Sequence, residues 1–134
     1  SATIDELAMG LAQDPSHFDV ILLQNLYGDI ISDLCAGLVG GLGVVPGANV
    51  GDRIAVFEAV HGTAPDIAGQ GVANPLAVLL SGCLMMEYIG EHGVANRVRE
   101  AVGSVLEAGK HVTRDLGGTA NTAEFTAAVI EELR

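Results

Sequence analysis

The sequence has no tryptophan, and aromatic residues make up only 4% of its 134 positions, so any core must be mainly aliphatic. Basic residues are scarce too: six Lys and Arg stand against seventeen Asp and Glu, a formal charge of −11. No basic stripe exists to meet a phosphate backbone, which argues against nucleic acid as a partner. The acidic balance reads as a solubility feature. Cys35 and Cys83 each sit inside an apolar run, so neither a disulfide framework nor a cysteine metal site is expected. The longest apolar stretch, Pro75 to Met86, falls short of the roughly 20 residues that span a bilayer, and no signal-peptide pattern is present. These absences lead us to expect a soluble protein with no membrane partner, in the cytoplasm or, alternatively, the mitochondrial matrix. The start at Ser-Ala-Thr in place of Met points to a processed or truncated product.

Several local patterns are clear. Ile4, Leu7, Ala8 and Leu11 recur at helical spacing behind Thr3, a candidate N-cap with Glu6 three residues on, which predicts a helix from Thr3 to Ala12. Asp14-Pro15-Ser16 ends it. The β-branched apolar run Phe18 to Leu23 reads as a buried strand, Asn25 to Gly28 as the turn leaving it, and a helix follows from near Asp29 to Leu42. Gly40 to Gly51 carries five glycines and reads as loop, Ile54 to Glu58 as a second strand, and 61–75 as a loop rich in Gly, Pro and polar groups. Three helices are expected after it, at Pro75–Ile89, Ala95–Ala108 and Ala123–Leu133. Two strands make a weak sheet alone. The expected class is therefore α/β, in the form of a helix-rich part of a larger sheet domain.

Two constellations could carry chemistry. Asp29 and Asp33 lie four apart on a predicted helix and share a face, where like charges repel. A hard divalent cation such as Mg²⁺ or Mn²⁺ would relieve that repulsion; by spacing alone the pair reads more often as an acidic helix start meeting the macrodipole. His61-Gly62-Thr63-Ala64-Pro65-Asp66 sets an imidazole, a hydroxyl and a carboxylate on one constrained loop, although a loop histidine is more often a structural hydrogen-bonder. The glycine-rich 40–51 segment matches neither the dinucleotide fingerprint nor the P-loop. No Ser-His-Asp arrangement is present: Ser32, Ser81 and Ser104 lie in apolar helices without a nucleophile elbow. His17, His92 and His111 are assigned no role.

Three motifs resemble one known family when taken together and in order. They are Asn25-Leu26-Tyr27-Gly28-Asp29-Ile30-Ile31-Ser32-Asp33; Gly40-Gly41-Leu42-Gly43 with Pro46-Gly47-Ala48-Asn49-Val50-Gly51; and Glu58-Ala59-Val60-His61-Gly62-Thr63-Ala64-Pro65-Asp66-Ile67-Ala68-Gly69, followed by Asn74-Pro75. The chain is similar throughout to the C-terminal portion of isocitrate and 3-isopropylmalate dehydrogenases, the β-decarboxylating dehydrogenases. That resemblance implies a metal- and cofactor-binding fragment of their fold, with residues 1–45 supplying metal-site and dimer helices and 46–134 the cofactor-binding part. Asp29 and Asp33 would be metal ligands for Mg²⁺ or Mn²⁺, and Asp5 would be offered across the interface of a homodimer or larger homo-oligomer. The metal would chelate a 2-hydroxy acid, which is oxidised by NAD and loses CO₂. His61, Gly62, Ala64, Pro65, Asp66 and Ile67 would hold the adenosine half of NAD. Asn74 would reach the adenine, Leu42 would lie alongside the cofactor, and Glu58 and Thr63 would stand near the nicotinamide or the phosphates.

The resemblance also bears on choice of cofactor and substrate. A carboxylate at Asp66 suits ribose hydroxyls and repels a 2′-phosphate, and NADP-using members carry Lys and Tyr in place of Asp66 and Ile67. They also carry Tyr and Arg where this chain has Arg114 and Gly118. Tyr27 is similar to isocitrate-type members, as is Lys110-His111-Val112-Thr113-Arg114-Asp115-Leu116-Gly117-Gly118-Thr119-Ala120, so isocitrate is the expected substrate. The alternatives are 3-isopropylmalate, homoisocitrate, and a regulatory subunit without catalysis. The Arg cluster that reads substrate and the proton-transferring Tyr and Lys are expected upstream, so the fragment alone is expected to be inactive.

Overall fold

The computed structural model describes residues 3–134. The chain divides into two compact units, the first running to Gly41 and the second from Leu42 to Arg134.

In the first unit, α1 spans Ile4–Gln13 and opens on the expected capping box. The Thr3 N–H donates to Glu6 Oε2 at 2.9 Å, and the Glu6 N–H to Thr3 Oγ1 at 3.4 Å. Asp14 closes the helix and turns the chain by accepting the Ser16 N–H at 3.1 Å. The segment Phe18 to Leu23 is not a strand, contrary to its composition. Val20 and Leu22 are 85% and 95% exposed, while Phe18 and Leu23 pack against Leu7, Leu11 and Ile31. A strand needs a hydrogen-bonding neighbour, and among the described residues no other segment pairs with this one.

The helix that follows, α2, spans Asn25–Leu38 and so begins four residues earlier than expected. The motif Asn25 to Gly28 is its first turn, in which the Gly28 N–H already donates to the Gln24 carbonyl at 2.8 Å. Gly28 lies against the Leu23 side chain, so here the glycine serves close packing where a turn had been read. The helix stops at Leu38, short of Leu42, because Gly40 and Gly41 take φ of +120° and +102°.

The second unit is a hairpin backed by three helices. Strand β1, Pro46–Val50, pairs antiparallel with β2, Ala55–Ala59, with Pro46 opposite Ala59 and Val50 opposite Ala55. The glycine-rich stretch expected to be loop is therefore strand at 46–50. Gly47 makes this possible: a Cβ there would come within 2.8 Å of the Glu58 carbonyl oxygen. Helix α3, Leu76–Tyr88, packs on both strands, α4, His92–Ala108, packs on α3, and α5, Thr122–Glu132, packs on α4. These match the three predicted helices, with α4 starting three residues earlier. Leu76, Ala101, Val102, Val105, Ala128 and Val129 enclose Phe125, a mainly aliphatic core as the composition requires. Cys83 is buried and Cys35 half-buried, and both are free thiols.

Polar contacts lock this unit together. Ser81 of α3 reaches both strands, and Arg99 of α4 makes a two-pronged ion pair with Glu87 of α3. Between α4 and α5 the chain folds into a tight turn, with the Ala120 N–H donating to the Val112 carbonyl at 3.0 Å. Gly118 is indispensable to that closure, since an added Cβ would fall 2.0 Å from the Val112 oxygen. Thr122 at the start of α5 donates its N–H to the Gly71 carbonyl at 2.8 Å, which anchors the long 60–75 loop.

Candidate functional site

The 60–75 loop leaves β2 and forms one wall of a cleft of about 830 Å³. Its backbone is tightly determined. Ala64 has φ +42°, the one non-glycine among the described residues in the left-handed region, a conformation that costs on the order of 1–2 kcal/mol and persists only where surroundings enforce it. Pro65–Ile67 then makes a single 3₁₀ turn, with the Ile67 N–H donating to the Ala64 carbonyl at 3.1 Å. Gln70 ties the turn from behind by donating its side-chain amide to the Asp66 carbonyl at 2.8 Å. His61 Nδ1 lies 2.9 Å from the Gly62 carbonyl, a contact in which Nδ1 is the donor because a carbonyl oxygen only accepts.

The opposite wall comes from elements distant in sequence. Leu42 and Gly43 contribute from the short 3₁₀ turn before β1, and Arg114 and Asp115 from the turn between α4 and α5. Asn74 stands between the walls. Its Oδ1 accepts the Leu76 N–H at 2.9 Å, fixing the start of α3, and its Nδ2 donates to Asp115 Oδ2 at 2.9 Å. Gly43 makes room for this pair: a Cβ there would sit 3.3 Å from Asp115 Oδ2 and 3.8 Å from Asn74 Cβ.

Of the residues that the sequence singles out for a cofactor, the cleft brings together Leu42, His61, Gly62, Thr63, Ala64, Ile67 and Asn74. Pro65 and Asp66 sit on the same 3₁₀ turn without lining the cleft, and the Asp66 carboxylate is exposed with no hydrogen bond from another described residue. Glu58 lies on β2 outside the cleft and accepts from Asn49 Nδ2 at 3.2 Å across the hairpin. Asp115 was missed. It lies 41 residues from Asn74, and no local spacing could reveal that pairing.

The three aspartates considered for metal all belong to the first unit. Asp29 and Asp33 are exposed on α2, on the side away from the buried Ile31 and the half-buried Leu34 and Cys35. No described Lys or Arg pairs with either. Asp5 is exposed in the first turn of α1, and its carboxyl is held below the usual range by hydrogen bonding to the Thr3 hydroxyl and to backbone N–H groups. Among the described residues no three His, Cys, Asp or Glu converge as a metal would require, so Asp5 does not complete a site with Asp29 and Asp33 inside one chain. Leu26 and Ile30, 66% and 53% exposed, flank the two aspartates on the same side of α2.

Comparison with known proteins agrees with this architecture. The sequence profile described as isocitrate/isopropylmalate dehydrogenase matches residues 1–129. An isocitrate/homoisocitrate dehydrogenase from Thermus thermophilus is 57% identical over 131 residues, which cover 98% of this chain and 39% of that protein. The mitochondrial NAD isocitrate dehydrogenase subunit alpha of Homo sapiens is 48% identical, covering 98% of this chain and 36% of its own length. The crystal structure of isocitrate dehydrogenase from Methylococcus capsulatus superposes with a TM-score of 0.92 at 48% identity, over 98% of this chain and 39% of that one. The chain belongs to the isocitrate/isopropylmalate dehydrogenase family, and its helix-rich architecture with two strands is a piece of that fold. It spans less than two fifths of the length of these relatives. No described helix is long and apolar enough to cross a membrane.

Proposed function

We propose that the protein to which this chain belongs carries out NAD-dependent oxidative decarboxylation of a 2-hydroxy acid, with isocitrate converted to 2-oxoglutarate. The observation that carries the reading is the cleft, whose conformationally fixed His61–Ala64 wall faces Asn74, Arg114 and Asp115. A dinucleotide fits this lining. Leu42 and Ile67 offer apolar surface to a planar base, Asn74 and His61 offer polar atoms, and Gly62, Gly69 and Gly71 allow backbone to approach closely. NAD bound there supplies the hydride acceptor. Asp66, exposed on the turn beside the cleft, accepts hydrogen bonds from ribose hydroxyls and disfavours a 2′-phosphate.

The donor chemistry on α2 fits a hard cation, because Asp29 and Asp33 present unpaired carboxylates on one exposed side. Mg²⁺ or Mn²⁺ held there supplies Lewis acidity at the substrate's oxygen atoms. Leu26 and Ile30 on that side pack against a second copy of the chain in a homodimer, and Asp5 serves the site of that second copy. The 134 residues carry no turnover by themselves, and the proton-transferring Tyr and Lys belong to other parts of the protein.

The Thermus thermophilus relative is named for both isocitrate and homoisocitrate, which favours homoisocitrate as the second substrate to try. The test is NADH formation and CO₂ release by the full-length protein, with Mg²⁺ or Mn²⁺, on isocitrate, homoisocitrate and 3-isopropylmalate. Isocitrate should give the highest kcat/KM; no turnover of any of the three would remove the enzymatic reading.

A further inference from the structure

The 3₁₀ turn that carries Asp66 is followed at once by a turn of another kind. Ala68, with φ −57° and ψ 132°, and Gly69, with φ +76°, form the centre of a type II turn, closed by the Gln70 N–H donating to the Ile67 carbonyl at 3.1 Å. The change of turn leaves one carbonyl behind. Those of Ala64 and Pro65 accept the N–H groups of Ile67 and Ala68 at 3.1 and 3.3 Å. The corresponding donor for Asp66 would be the Gly69 N–H, and the extended ψ of Ala68 turns it away. The Gln70 side chain fills that place, its Nε2 donating to the Asp66 carbonyl at 2.8 Å. Gln70 thus supplies the donors for two of the four carbonyls from Ala64 to Ile67.

We propose that Gln70 is a positioning residue for cofactor choice: by fixing the peptide that follows Asp66, it sets the direction of that residue's carboxylate beside the cleft. This rests on the reading of Asp66 as the ribose-binding carboxylate. The carboxylate is exposed and takes no hydrogen bond from another described residue, so its own backbone is what orients it. Water could solvate an exposed carbonyl equally well, but it would leave the peptide free to rotate. A side chain rooted in the adjoining type II turn does not. A carboxylate that swings away loses its hydrogen bonds to ribose hydroxyls and its repulsion of a 2′-phosphate together. Loosening the turn therefore narrows the preference for NAD from both sides.

The experiment is calorimetric titration of the full-length protein with NAD and with NADP. Gln70→Met keeps the length of the side chain and removes the donor, and at an exposed position it opens no cavity. It should lower the preference for NAD roughly three- to tenfold, the worth of about one net hydrogen bond. Gln70 also lines the cleft, and the same substitution in an Asp66→Ala background separates positioning from direct contact with the dinucleotide. There Gln70→Met should change the preference by less than about twofold, because the carboxylate it orients is gone. A merely damaged fold would weaken both dinucleotides alike and leave their ratio in place. An unchanged ratio in Gln70→Met, or the same loss with and without the Asp66 carboxylate, overturns this proposal and leaves Asp66 as the ribose residue. Equal affinity of wild type for NAD and NADP overturns that reading of Asp66, and this proposal with it.

Discussion

The hydroxyl of Ser81, in the middle of α3, lies 2.9 Å from the Glu58 carbonyl of β2 and 2.8 Å from the Ala77 carbonyl one turn back in its own helix. The same oxygen accepts the Gly47 N–H of β1 at 3.3 Å. One buried side chain therefore ties the helix to both strands of a hairpin that leads directly into the 60–75 loop. A serine in an apolar helix is often of no consequence, but this one satisfies backbone groups that α3 shields from water. Ser81→Ala should lower stability by about 1–2 kcal/mol, the usual cost of leaving such groups unsatisfied. Urea denaturation of the full-length protein measures it, with Ser104→Ala on the exposed side of α4 as a control expected within about 0.5 kcal/mol of wild type.

The Arg99 guanidinium holds the Glu87 carboxyl below its ordinary range, chiefly through side-chain hydrogen bonds. A carboxylate whose folded pKa is depressed adds stability above the unfolded value of about 4.3, and loses it as pH falls through the folded value. Glu87→Gln should therefore melt below wild type at neutral pH, with the gap closing as pH is lowered below about 4. Thermal melts between neutral and acidic pH at low salt decide this. A gap independent of pH would mean that shape, and not charge, is what Glu87 contributes.

Asp29→Asn removes one negative charge from the α2 pair and leaves a side chain of the same size at an exposed position. The fold and NAD binding should be unaffected. Metal-dependent turnover should fall by more than the roughly 10- to 100-fold typical of losing an outer-shell partner. Metal titration of the full-length variant, read by turnover and by calorimetry, tests this, and undiminished metal affinity would remove Asp29 from the site.

Cofactor preference gives the clearest test of Asp66. A partly desolvated carboxylate facing a 2′-phosphate should make NADP poorer than NAD by roughly a hundredfold in kcat/KM. Asp66→Lys with Ile67→Tyr should narrow or invert that preference, acting on cofactor KM more than on kcat. Steady-state rates with both cofactors, in wild type and the double variant, provide the measurement. Equal use of NAD and NADP by wild type would dissociate Asp66 from the ribose.

Much of this protein was legible in the residues alone. Apolar residues at helical spacing located α1, because a helix makes its hydrogen bonds within its own segment and its buried stripe recurs at 3.6 residues, and α3 to α5 also formed where helices were expected. The Thr3 and Glu6 cap was legible for the same reason, as both partners lie within one turn. The order of three motifs sufficed to recognise the family that the comparisons show. Pairing across the chain was decided only in three dimensions. Phe18–Leu23 has the composition of a strand yet lacks a partner among the described residues, whereas Pro46–Val50 has the composition of a loop and is a strand because β2 lies beside it. The same holds at the cleft. Loop residues 61–74 stood out by their chemistry, but the carboxylate that orients Asn74 arrives from Asp115, 41 residues away. Short-range hydrogen bonds and periodic burial are written along the chain, while contacts between distant segments depend on how whole elements pack, and no local pattern encodes that.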